Sequence, residues 1–122
     1  MPVRSLNSPV LKWPDQKTVD QAVRFWAVEQ GQRLPELKCL GYFGSYARGN
    51  WGVGSDLDLI AIVDETAESF ERRALNWNLN GLPVPAEIIV YTVQEWADLQ
   101  KRGNRFSRMI NREIIWTYSR KA

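Results

Sequence analysis

The sequence contains no histidine and one cysteine, Cys39, in 122 residues. The first absence removes the usual zinc constellations, the Ser/His/Asp triad and the Cys/His pair, and the second removes any internal disulfide. Whatever chemistry the chain performs must use carboxylates, hydroxyls, amines and hard metal ions. No run approaches the roughly 18 apolar residues of a membrane helix. The first 14 residues, MPVRSLNSPVLKWP, also lack the continuous apolar segment of a secretory signal. A cytoplasmic protein with no membrane association is expected. Internal repeats and low-complexity linkers are missing as well. What is present is 44% hydrophobic content with six tryptophans, enough for one core in a chain of this length. The expectation is a single domain over 1–122, with an irregular N-terminal segment over 1–14.

Charge is unevenly spread. Residues 101–122 hold seven Lys/Arg against one acid, Glu113, whereas the first hundred carry nine basic and thirteen acidic groups. A basic end can meet phosphates or an acidic partner, and it can equally be a solvated helix face.

Periodicity and punctuation give the elements. Thr18 and Gln21 have capping-box spacing for a helix near 18–30 whose Val19, Val23, Trp26 and Ala27 share a face, with Gly31 as its stop. LKCLGYF (37–43), DLDLIAIV (56–63), AEIIVYT (86–92) and EIIWTY (113–118) read as strands. A helix over 66–78 is expected to carry Phe70, Ala74 and Trp77. Thr92 and Glu95 form a second capping box for a helix ending near Gly103, and a short helix spans about 105–112. Strands alternating with helices predict an α/β (α+β) fold, a mixed β-sheet flanked by helices.

Between the first two strands lies GSYARGNWGVGSDLDLIAIV (44–63). Gly44 and Gly49 have P-loop spacing, but Asn50 and Trp51 stand where Lys and Ser/Thr are required. The glycines at 49, 52 and 54 run in the reverse order of the dinucleotide fingerprint. Both readings fail. What remains is a Gly-Ser after one strand and Asp56-x-Asp58 opening the next. Residues two apart on a strand face the same way, with Cα atoms about 6.6 Å apart, so their carboxylates can converge. Two such groups about 5 Å apart repel by roughly 3 kcal/mol at an effective dielectric near 20. No Lys or Arg occurs in residues 49–63 to offset this. An oxygen-seeking divalent cation would, and two catalytic ions about 3.5 to 4 Å apart suit a carboxylate pair of this spacing.

These residues resemble the signature of the nucleotidyltransferase superfamily that includes DNA polymerase beta, most closely its minimal nucleotidyltransferase branch. That pattern is Gly-Ser after the first strand, a spacer often containing Ala-Arg-Gly, then Ser-Asp-x-Asp on the second strand. Every element is present, and the likeness extends over most of 18–118. It implies the nucleotidyltransferase fold and a third carboxylate on the third strand, for which Glu87 is the acid at the matching position. Aspartate is commoner there.

The activity implied is transfer of a nucleoside monophosphate, AMP from ATP in the first instance, to an acceptor hydroxyl. In this reading Gly44, Ser45 and Arg48 bind the nucleotide, the amides near Ser45 offering an anion site. Asp56, Asp58 and Glu87 hold two Mg²⁺ (or Mn²⁺) ions, and Glu87 assists deprotonation of the acceptor. Trp51 is expected to anchor its loop and stays outside the site. Members of the minimal branch act with a small helical HEPN-type toxin, which they adenylylate as antitoxins, and a similar partner is implied here. The alternatives left open are a small-molecule or nucleic-acid-end acceptor, nucleic acid being less favoured, and a catalytically silent nucleotide-binding module.

Overall fold

The computed structural model describes residues 13–121. Helix α1 (Gln16–Arg33) leads into β1 (Leu37–Phe43), a single-turn helix α2 (Ser45–Arg48) and β2 (Leu57–Val63). A 3-10 helix (Phe70–Asn76), β3 (Ala86–Thr92), α3 (Val93–Arg102), α4 (Arg105–Glu113) and β4 (Ile115–Ser119) complete the chain. The four strands form one mixed sheet in the order β3-β2-β1-β4. β1 runs antiparallel to β2 and β4, and β2 runs parallel to β3. This is the mixed sheet with flanking helices that the sequence pattern anticipates. Most of the expected irregular segment 1–14 lies outside the described residues; Trp13 and Pro14 are neither helical nor extended.

Alternation of side chains across the pleat divides the apolar residues between two faces. On one, Leu40, Tyr42, Leu57, Leu59, Ala61, Val63, Ile88 and Val90 are buried against Val19, Val23, Trp26 and Ala27 of α1. On the other, Phe43, Ile60 and Ile62 are buried with Ile110 of α4, flanked by Trp96, Phe106 and Met109. β2 is central and covered on both sides. Six of its seven residues are buried, and the single interruption is Asp58.

Several boundaries differ from the sequence expectation. The N-cap of α1 is Asp15, whose carboxylate accepts from the Thr18 amide, so Thr18 is the third helical residue and no capping box forms with Gln21. Gly31 does not stop α1. It sits under the ring of Tyr118 on β4, where a Cβ would overlap the phenol, and the helix runs on to Arg33. The segment 66–78 is a 3-10 helix over Phe70–Asn76 only, closed by i→i+3 bonds such as Arg72 N to Ser69 O at 3.0 Å. Its Phe70 and Leu75 are exposed, while Arg73 turns inward. Glu113 ends α4 and does not open β4, and Asp56 lies just before β2. The Thr92/Glu95 capping box forms as expected, with both reciprocal bonds present.

Candidate functional site

The strand directions gather one end of the sheet. β1 ends at Phe43, β2 and β3 begin beside it, and β4 begins after Glu113, so residues from all four strand ends meet there. Phe43 is the register partner of Asp58, and Asp58 is the partner of Glu87 across the parallel pair. Leu57 N donates to Pro85 O at 2.9 Å, which locks the start of β2 to the start of β3. Ahead of them, the loop closes on itself through Gly52 N to Ser55 Oγ at 2.8 Å and Ser55 N to Gly52 O at 3.0 Å. That turn delivers Asp56 to the strand entrance.

Gly44 makes the crossing possible. Its φ of 82° and ψ of −154° belong to backbone that side chains avoid, and a Cβ there would overlap Asp58 Oδ2. The Asp58 carboxylate therefore lies directly against the Gly44 backbone. α2 is pinned by Tyr46, which is fully buried, donates its hydroxyl to Pro14 O at 3.0 Å and stacks on Trp51 at 5.7 Å between ring centroids. Trp51 thus anchors the loop, as expected.

Asp58 replaces an aliphatic residue that would contribute about 1.5–3 kcal/mol of burial at such a position. The cost is compounded electrostatically. Burial first, then the Glu87 and Asp56 charges, raise its carboxyl above the ordinary 3.8, with Arg48 pulling the other way and Glu113 adding to the rise. Four carboxylates face one guanidinium, a local surplus of negative charge that a bound cation or a proton on Asp58 would relieve. Asp56 and Glu87 are exposed and Asp58 is half-buried. Among the described residues, no three His, Cys, Asp or Glu side chains come close enough together to hold a metal ion by themselves. All-carboxylate donors sharing one edge suit magnesium, which takes one or two protein carboxylates and completes its shell with water and substrate phosphates.

The structure thus brings Gly44, Ser45, Arg48, Asp56, Asp58 and Glu87 to one end of the sheet. It adds a residue that sequence reading missed. Glu113 Oε1 accepts from the Gly44 amide at 3.2 Å and from Arg48 Nη1 at 3.1 Å, and Oε2 accepts from the same nitrogen at 3.2 Å. The available signal was its isolation, as the one acid in a basic C-terminal segment at the mouth of the last strand.

A separate cavity of about 330 Å³, lined by Arg33, Glu36, Arg73 and Trp77 among others, opens at the opposite end of β2 and shares no residue with the carboxylate cluster. Among the described residues, no helix is long and apolar enough to cross a membrane.

Comparison with known proteins agrees with this fold. A Sulfolobus solfataricus protein put forward as a nucleotidyltransferase superposes with a TM-score of 0.61 at 18% identity, covering 86% of this chain and 84% of that one. A mutant of the toxin-antitoxin complex MntA-HpeT superposes with a TM-score of 0.51 at 11% identity, over 80% of this chain and 74% of that one. At such identities the likeness is one of fold. No curated protein matches. The model of the family described as "Nucleotidyltransferase domain" does match, over residues 29–115, a stretch that runs from the end of α1 to the start of β4 and takes in every carboxylate of the cluster, and the chain belongs to that family.

Proposed function

We propose that the chain transfers a nucleoside monophosphate from a nucleoside triphosphate, ATP in the first instance, to a hydroxyl on a partner protein. The observation that carries this reading is Asp58, the one unburied residue of the central strand, set against Gly44 on one side and in register with Glu87 on the other. An acidic side chain in that row opposes folding, and its use is chemical. In the reaction the acceptor oxygen bonds to the α-phosphorus, the bond from that phosphorus to the bridging oxygen breaks, and pyrophosphate leaves with the electron pair. Two divalent ions on Asp56, Asp58 and Glu87 would neutralise the triphosphate and acidify the acceptor hydroxyl. Ser45 Oγ and the Gly44 amide take the phosphates, with Arg48 beside them. Glu87, exposed at the start of β3, receives the acceptor's proton.

The proposal treats 1–122 as one nucleotidyltransferase domain in the cytoplasm that takes its acceptor from another chain. The basic C-terminal segment and the fold shared with a toxin-antitoxin complex favour a toxin partner, of the helical HEPN type that the sequence resemblance implies. Intact-mass spectrometry of the chain mixed with a co-encoded helical partner, ATP and magnesium tests this. The partner should gain one nucleoside monophosphate, and Asp58→Asn or Asp56→Asn should abolish the gain while each variant still melts cooperatively. Near wild-type transfer by either variant would overturn the metal assignment. Efficient modification of an aminoglycoside or an RNA end, with the partner's mass unchanged, would move the acceptor to those classes. Nucleotide binding without transfer to any of them would make the chain a silent binding module.

A further inference from the structure

The Gly44 amide and the Arg48 guanidinium, the donors that the reading above gives to the triphosphate, are both already occupied. One side chain of the same molecule, Glu113, takes them through three contacts of 3.1–3.2 Å. Its carboxylate is the sheltered member of the pair, 11% exposed against 45% for Arg48. A carboxylate and a phosphate oxygen make the same kind of charge-assisted bond to an N–H group, so the two compete for these donors. We propose that Glu113 is an internal stand-in for phosphate, holding the Gly44 amide and Arg48 in the free protein and giving them up when the triphosphate binds. The inference rests on the assignment of that end of the sheet to the triphosphate and adds a regulatory step to it.

Two features make the contact displaceable. The bonds are longer than the roughly 2.7–2.9 Å of a tight charge-assisted pair. Glu113 is the last residue of α4, next to the extended cap residue Ile114, so its side chain can leave without unwinding a helix interior. In the meantime it serves the free protein, because the Gly44 amide is buried and needs an acceptor.

The test is calorimetry of the full chain with magnesium tripolyphosphate, which carries the part common to every nucleoside triphosphate. Wild type is compared with Glu113→Gln and Glu113→Asp. Asp keeps the charge but is too short to reach both donors. Where the closed form predominates, freeing the donors tightens apparent affinity by the inverse of the open fraction, about three- to tenfold for both variants. Weaker binding by both would make Glu113 a fixed support and overturn the proposal. Tightening by Gln alone would reduce it to general charge and overturn it also. No binding by any of the three would remove the triphosphate reading and the stand-in together. The wild-type Gly44 amide resonance gives a second readout that needs no variant to fold. It should shift on saturation with tripolyphosphate, and an unmoved resonance overturns the displacement.

Discussion

Two arginine–glutamate pairs sit in different parts of this molecule and are built in opposite senses. In Arg73–Glu95 the cation is sheltered, 9% exposed against 40% for the acid, with bonds of 2.6 and 3.0 Å. Arg73 also donates to Val90 O at 3.0 Å and to Glu68 O at 3.2 Å, and Glu95 caps α3 through the Thr92 amide at 2.9 Å. Each group thus has further partners within the fold. In Arg48–Glu113 the acid is the sheltered member, the bonds are longer, and one partner is a backbone amide beside Asp58. The first pair ties the 3-10 helix to β3 and α3. The second spends its bonds on groups that a substrate would also use. Position relative to the strand ends, more than the pairing itself, separates the two pairs.

The contrast can be broken from either side. Its largest expected effect is catalytic: Glu87→Gln should slow transfer by about 10²–10⁴-fold, the range of a lost general base, while nucleotide binding stays close to normal. Single-turnover rates and calorimetry separate the two, and equal loss of both would make Glu87 a structural residue. Next is stability. Arg73→Ala leaves Glu95 and the Val90 carbonyl without their partner, and it should cost about 2–3 kcal/mol. That is below the roughly 3–5 kcal/mol of a fully buried broken pair, because Glu95 is partly solvated. Arg48→Ala should cost less, about 1 kcal/mol, as nearly half of its side chain is in water. Urea unfolding of both variants decides whether the pairs differ as described.

The smallest effect is in acid. The Arg73 guanidinium, then the Thr92 bonds, hold the Glu95 carboxyl below its ordinary 4.5. The group's contribution is therefore complete above pH 4.5 and is lost as pH falls through the lower folded value. Melting temperatures taken from pH 4.5 down to about 3 should fall less steeply for Glu95→Gln than for wild type. Parallel slopes would remove Glu95 from the acid response.

Local signals make half of this architecture legible. The strands 37–43 and 86–92 lie where the sequence pattern puts them, because their runs are bounded by turn residues and their neighbours pack on both sides of the sheet. The Gly-Ser and Asp-x-Asp positions are equally visible, since Asp56 and Asp58 interrupt an otherwise apolar run at the entrance of β2. The 3-10 helix is read wrongly from sequence because Phe70, Ala74 and Trp77 have helical spacing, whereas the segment is held by Arg73, whose ties to Val90 and Glu95 are nonlocal. Glu113 is illegible for a stronger reason. Its contact with Gly44 spans 69 residues and exists because β4 returns beside β1, a pairing that no local pattern announces.

Gly31 constrains anyone who would redesign this protein for heat resistance. By helix propensity alone, a glycine near the end of an 18-residue helix is the first candidate for alanine, worth about 1 kcal/mol in an exposed interior. Here the added methyl would strike the hydroxyl and ring carbons of Tyr118, so removing the hydroxyl alone would not make room. Positions 31 and 118 form a single volume shared between α1 and an edge strand. They can be altered only together, and their separate effects will not sum.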